Sequence, residues 1–171
     1  AGAGGQPQLK FVVKGAKLYD PRKDSSVGGS GSHRYDDTTT YEWSDNAAVV
    51  QYNLIRGIRR PDGKLFYGVE GDYDQVRFDD AVAAMNACDE DVALKAGGTE
   101  KRYRVGGEID VSVEVRSAIQ AVETSMAGRT YTVSGLWRIF AGVACAPVLA
   151  ISDIDIMPKE ASTVEPKLAY D

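Results

Sequence analysis

Residues 112–140 read SVEVRSAIQAVETSMAGRTYTVSGLWRIF, and the change of rhythm inside this stretch sets the fold class. Val115, Ala118, Ile119, Val122 and Met126 recur at spacings of three and four, the pattern of a helix with one apolar face. Ser112 is the expected N-cap, Glu114 puts an acid in the first turn where the helix dipole favours it, and Gly128 closes the element. Beyond Gly128 the pattern changes to β-branched and aromatic residues, Arg129–Val133 and Leu136–Phe140, joined by Ser134-Gly135, a two-residue connection suited to a tight hairpin. A helix running into an antiparallel hairpin predicts an α+β domain, with three helices packed on short antiparallel strands and a C-terminal β-hairpin.

Working back from this stretch, Lys101–Val105 between two glycine pairs reads as a strand. Phe78, Ala81, Val82, Met85 and Cys88 form the stripe of a second helix beginning near Asp74 or Asp79 and ending at the acidic run Asp89-Glu90-Asp91. A further helix is capped by Ser44 or Asp45, sets Ala47, Val50, Leu54 and Ile58 on one face, and stops at Gly57 and Pro61; Lys64–Gly68 follows as a short edge strand. Residues 9–14 read as a strand with which Lys17–Asp20 pairs. Between them and the first helix lies a long loop, 21–43, whose residues 24–40 are nearly all Ser, Gly, Asp, Thr and Arg. That composition is too polar to bury, so the loop is either a solvated excursion or a contact to a partner. Tyr35, Tyr41 and Trp43 at its far end are the candidate partner contacts, or else anchors that pack back on the domain.

The chain of 171 residues, 43% hydrophobic and 26% charged, suits one globular domain. Its expected limits are a linker-like segment at 1–7, the domain at 8–157 and a polar segment at 158–171. The opening AGAGGQ has no Met, basic region or apolar core, so the chain reads as a piece of a longer protein without a signal peptide. A net charge of -5 with scattered basic residues argues against nucleic-acid binding. The apolar stretch 136–151 is broken by Arg138 and Pro147 and is too short to insert in a membrane. Another strand is expected over 146–151.

Cys88 and Cys145 form no metal-ligand pair and read as two buried thiols. His33, the single histidine, sits in the Gly/Ser stretch and reads as a solvated loop residue rather than a base. The acids Asp36-Asp37, Asp89-Glu90-Asp91 and Asp153/Asp155 match no calcium-loop spacing and read as solvated, and Gly28-Gly29-Ser30-Gly31 lacks the lysine of a phosphate loop. No catalytic, metal or cofactor-binding residue is therefore assigned.

Three blocks leading into the first helix, Leu18-Tyr19-Asp20-Pro21-Arg22, Gly28–Tyr35 and Trp43–Ala48, resemble the tail protein family of tailed phages and prophages. Later matches fall in the same order: Phe78 with Ala83–Glu90, then Tyr103–Gly107, Met126–Arg129, and Gly135–Arg138 with Ala141-Gly142. The resemblance covers most of residues 8–157 and rests on the order and spacing of short motifs. It implies a non-enzymatic virion component of the tail-tip hub, trimeric in its full-length parent and contacting tube, tip and fibre proteins. It also implies a location at the virion tail tip, or in the bacterial cytoplasm when expressed from a prophage. The isolated segment is expected to be monomeric or weakly associated. Two other readings remain open: a tail-associated hydrolase using Asp36, Asp89 or Asp153, and a carbohydrate or receptor module stacking ligand on Tyr35, Tyr41 and Trp43.

Overall fold

Asn46 starts the first helix, and its side chain serves two elements at once. Its Oδ1 accepts from the Val49 N–H at 3.1 Å while its Nδ2 donates to the Met85 carbonyl at 2.8 Å. One amide thus caps α1 (Ala47–Arg56) and ties it to α2 (Phe78–Cys88). In the computed structural model, which describes Phe11 and residues 13–144, α1 is the central element. It packs against α2, against α3 (Val115–Ser125) and against the strand Leu136–Phe140. The fold is α+β, with three helices and four separate antiparallel strand pairs among the described residues.

In chain order the pairs are β1 (Lys17–Leu18) with β2 (Glu42–Trp43), β3 (Ile58–Arg59) with β4 (Leu65–Tyr67), β5 (Asp91–Ala93) with β6 (Thr99–Lys101), and β7 (Arg129–Val133) with β8 (Leu136–Phe140). The β7–β8 hairpin has the expected limits. Ser134 and Gly135 have φ of 52° and 81°, the pair of positive values that matches a two-residue turn to the twist of its strands. At residue 128 only glycine fits, because a Cβ there would lie 2.2 Å from the Phe140 carbonyl oxygen. The end of α3 therefore passes directly under β8, and Ile119, Val122, Met126 and Ile139 meet in one core with Leu54, Ile55 and Met85.

Several expectations are corrected. Ser112 does not cap α3: its N–H donates to Asp110 Oδ1 in a separate turn, and the helix begins at Val115 after Glu114. The first helix is not one-sided. Ala47, Ala48, Val49, Gln51, Tyr52, Asn53, Leu54, Ile55 and Arg56 are all buried, and Ile58 belongs to β3. A periodic stripe signals a helix with a wet side, and α1 has neighbours on nearly every side.

Among the described residues Lys17-Leu18 pairs with Glu42-Trp43, where pairing with a strand at 9–14 was expected. Of that expected strand, Phe11, Val13 and Lys14 lie in no strand and the remainder lies outside the described residues. The strand expected at 101–105 occurs as β6, two residues earlier, with only a single bridge from Arg104 to Asn46 in its second half. The strand expected at 146–151, Cys145 and the terminal segments lie outside the described residues. Cys88 is buried as expected, and burial pushes its thiol pKa up.

Candidate functional site

The 20–43 segment, which carries the candidate contacts, is not a bare loop: many of its residues are exposed, yet it folds around the buried Asp20, Asp24 and His33. Asp20, Asp24 and Asp37 each accept a hydrogen bond from the backbone N–H two residues on, at Arg22, Ser26 and Thr39. Each such link starts a short 3-10 turn, at Pro21–Lys23, Ser25–Val27 and Thr38–Thr40. Three turns fold the segment back onto β1. There Asp24, with no exposed surface, accepts from the Tyr19 hydroxyl at 2.8 Å, from the Ser26 hydroxyl at 2.6 Å and from Arg34 at 3.1 Å. Burial pushes the Asp24 carboxyl up, but the Ser26, Tyr19 and Arg34 donors outweigh it and hold the group below the usual carboxylate range.

His33 is the largest correction to the sequence reading. It is 2% exposed, and its Nδ1 accepts the Asp20 backbone N–H at 3.1 Å. Accepting at Nδ1 places the imidazole proton on Nε2, which lies 3.8 Å from Glu42 Oε2 and has no hydrogen-bond partner among the described residues. A turn-rich segment does fix an imidazole when a buried peptide N–H supplies the donor.

The aromatics divide. Tyr35 and Tyr41 pack on Tyr19 with ring centroids 5.8 and 5.6 Å away, and the Tyr41 hydroxyl donates to the Tyr35 carbonyl at 2.6 Å. Burial raises the Tyr41 pKa to about 12, with Arg59 pulling the other way. The Arg56 guanidinium, from α1, lies 3.1 Å from the Tyr35 ring centre and 4.9 Å from that of Tyr19. These two tyrosines anchor the segment. Trp43 alone of the three keeps an open face, 41% exposed, with Lys14 Nζ 5.3 Å over its ring.

The acids are engaged singly rather than as a set. Asp89 pairs with Arg22 at 2.8 Å, Glu90 with Arg102 at 2.9 Å and Asp91 with Lys101 at 2.9 Å. Asp36 is exposed and Asp153 lies outside the described residues. Among the described residues no three acid, histidine or cysteine side chains gather to hold a metal ion.

An open groove of about 350 Å³ runs between Gly28–Ser30 and the Phe78, Val82 and Asn86 face of α2, with Arg22 at its side. The Arg22 guanidinium is already matched by Asp20, Asp89 and Asn86. Glycine is required at 29 because a Cβ would meet the Pro21 and Arg22 carbonyls at 2.5 Å. Close chain packing, not an anion, accounts for that glycine.

The Asx turns were visible in the sequence as Asp20-Pro21-Arg22, Asp24-Ser25-Ser26 and Asp37-Thr38-Thr39, an acid two residues before a backbone donor. What the motif could not give is where the folded segment docks. Tyr19 is clamped from α1, with Asn53 Oδ1 accepting the Tyr19 N–H at 3.1 Å and Asn53 Nδ2 donating to the Tyr19 carbonyl at 2.8 Å.

No family model matches the chain, and no curated protein matches it. Among the described residues no helix is long and apolar enough to cross a membrane.

Proposed function

We propose that this segment is a structural part of a phage or prophage tail-tip hub, acting by self-association and by docking to other tail proteins. The observation that supports this reading is where the resembling motifs fall. Leu18–Arg22 and Gly28–Tyr35 supply Tyr19, Asp20, His33 and Tyr35, which with Asp24 and Asn53 fold the 20–43 segment and seat it on α1, and Trp43–Ala48 contains Asn46, the cap of α1. Later motifs supply packing: Met85 and Cys88 in the core, Tyr103 donating to the Gly142 carbonyl, and Gly128 under β8. Most motif residues are spent on holding a shape, as a scaffold protein requires, and those that line the open groove, Arg22, Gly28–Ser30, Phe78 and Asn86, bring to it no acid, histidine or cysteine.

The test is to locate the full-length parent in purified particles with a labelled antibody. Signal at the tail tip is the expected result, and protein found only in the host cytosol would overturn the proposal. Exposed Trp43 favours a second reading, stacking of a host-surface sugar. A glycan array on which the unaltered chain binds and Trp43→Ala does not would select it.

A further inference from the structure

We propose that His33 is an acid-sensitive latch: protonation at Nδ1 breaks its hydrogen bond to the Asp20 backbone and releases the 24–41 segment while the helical core stays folded. The inference does not depend on the tail-hub reading. It stands first on geometry. In the closed segment the imidazole must accept at Nδ1, because the group facing that atom is a backbone N–H, which cannot reverse its role. An imidazolium there would set two donors against each other in a site that is 2% exposed.

The charged surroundings do not compensate. Glu42 on β2 is the carboxylate nearest Nε2, but it is largely exposed and already bonded to Lys23 Nζ at 2.6 Å. Lys23, on the first 3-10 turn, opposes a second positive charge. Asp20 and Asp24 attract one, yet Asp20 is engaged bidentately by Arg22, and Asp24 by Tyr19, Ser26 and Arg34. Arg34 donates to the His33 carbonyl itself at 2.6 Å. From α1, Arg56 reaches the site through the Tyr19 ring, and the Tyr19 and Tyr41 rings lie 6.1 and 6.2 Å from the imidazole without a hydrogen bond from either hydroxyl to Nε2.

Burial, the largest influence, lowers the His33 pKa; Glu42, Asp20 and Asp24 raise it, and Lys23 lowers it further. The released segment therefore takes up the proton more readily than the closed one. Closure is complete above the ordinary histidine value of 6.5 and is lost as the pH falls below it. With a single histidine in the chain, no other side chain has its ordinary pKa inside the window from pH 7.5 to 5.

The experiment is a nuclear magnetic resonance titration of the full chain from pH 7.5 to 5, paired with limited proteolysis corrected by an unstructured peptide substrate. The Asp20, Arg34 and Tyr41 amide signals are expected to move with the midpoint of the His33 ring proton, while those of Leu54, Met85 and Ile119 hold. Cleavage within 24–41 is expected to rise about tenfold between the two pH values. His33→Asn, whose Oδ1 accepts from Asp20 without titrating, is expected to flatten both responses. Loop signals that stay fixed while His33 takes up its proton would overturn the proposal, and so would core signals lost at the same midpoint. The unaltered chain decides both points by itself if the variant is unstable.

Discussion

The segment from Asp20 to Trp43 and the segment from Val115 to Phe140 are of similar length and both cover α1, but opposite forces hold them. The later one is a helix and a hairpin whose Ile119, Val122, Met126 and Ile139 are buried in the shared core. The earlier one has three 3-10 turns and the two-residue strand β2, and much of what it buries is polar: Asp20, Asp24 and His33. Apolar contact is non-directional, so a core adjusts to small errors at graded cost. A buried polar group stabilises only as a complete set, since one missing partner leaves another stranded. The two segments should therefore fail in different ways.

The largest effect is expected from Ile119→Asp. An unpaired carboxylate in the α3–core contact costs at least about 4 kcal/mol against a domain stability of roughly 5 to 15 kcal/mol. Thermal melting by circular dichroism should show loss of the whole cooperative transition, and an unchanged melting curve would mean this face is not buried.

Asp24→Ala sharpens the contrast. It removes the acceptor for the Tyr19 hydroxyl, both Ser26 donors and Arg34, a loss of about 2–3 kcal/mol with the half-exposed Arg34 discounted. Hydrogen exchange should rise through residues 20–41 and stay low in α1 and α3. If the variant instead melts as one unit with Ile119→Asp, the segment is not a separable layer and the comparison fails.

Gly29→Ala tests close approach inside the same segment. Its Cβ would meet two backbone oxygens at 2.5 Å, and relieving that overlap costs about 1–3 kcal/mol. Chemical denaturation should report the loss, again with local opening.

The smallest effect is expected from Trp43→Ala, about 1 kcal/mol or less, because its ring is 41% exposed and carries the Lys14 cation over one face. A loss as large as that for Asp24→Ala would reclassify Trp43 as an anchor like Tyr35 and Tyr41.

How much was legible follows the same divide. The hairpin limits at 129–133 and 136–140, and α2 and α3 to within a few residues, came from periodicity and turn chemistry because one wet face or a two-residue turn leaves its mark within the element's own sequence. The two-sided burial of α1 was hidden, since Gln51 and Asn53 are buried by partners far along the chain. Gln51 Nε2 donates to Thr130 Oγ1 at 2.8 Å, and Asn53 clamps Tyr19. His33 was misread for a related reason: its donor is a backbone N–H, which every residue carries and no composition reveals. The three candidate contacts look alike in sequence, and only the Arg56 and Tyr19 rings and charges separate the two anchors from exposed Trp43.

The central place of α1 also bears on synthesis. A ribosome completes Arg56 long before Phe140, with about 80 residues to follow, roughly 4 to 17 seconds at ordinary translation speeds. During that interval α3 and β8 do not yet exist, and the helix that will be most enclosed is the one left longest uncovered. A helix of pure Leu and Val would be an aggregation hazard while it waited. Gln51 keeps water on part of its surface until Thr130 takes that water's place, whereas Asn53 and Arg56 find Tyr19 and the tyrosine rings already made. Among the polar residues that hide the core role of α1, Gln51 is the one whose partner is made after the helix itself.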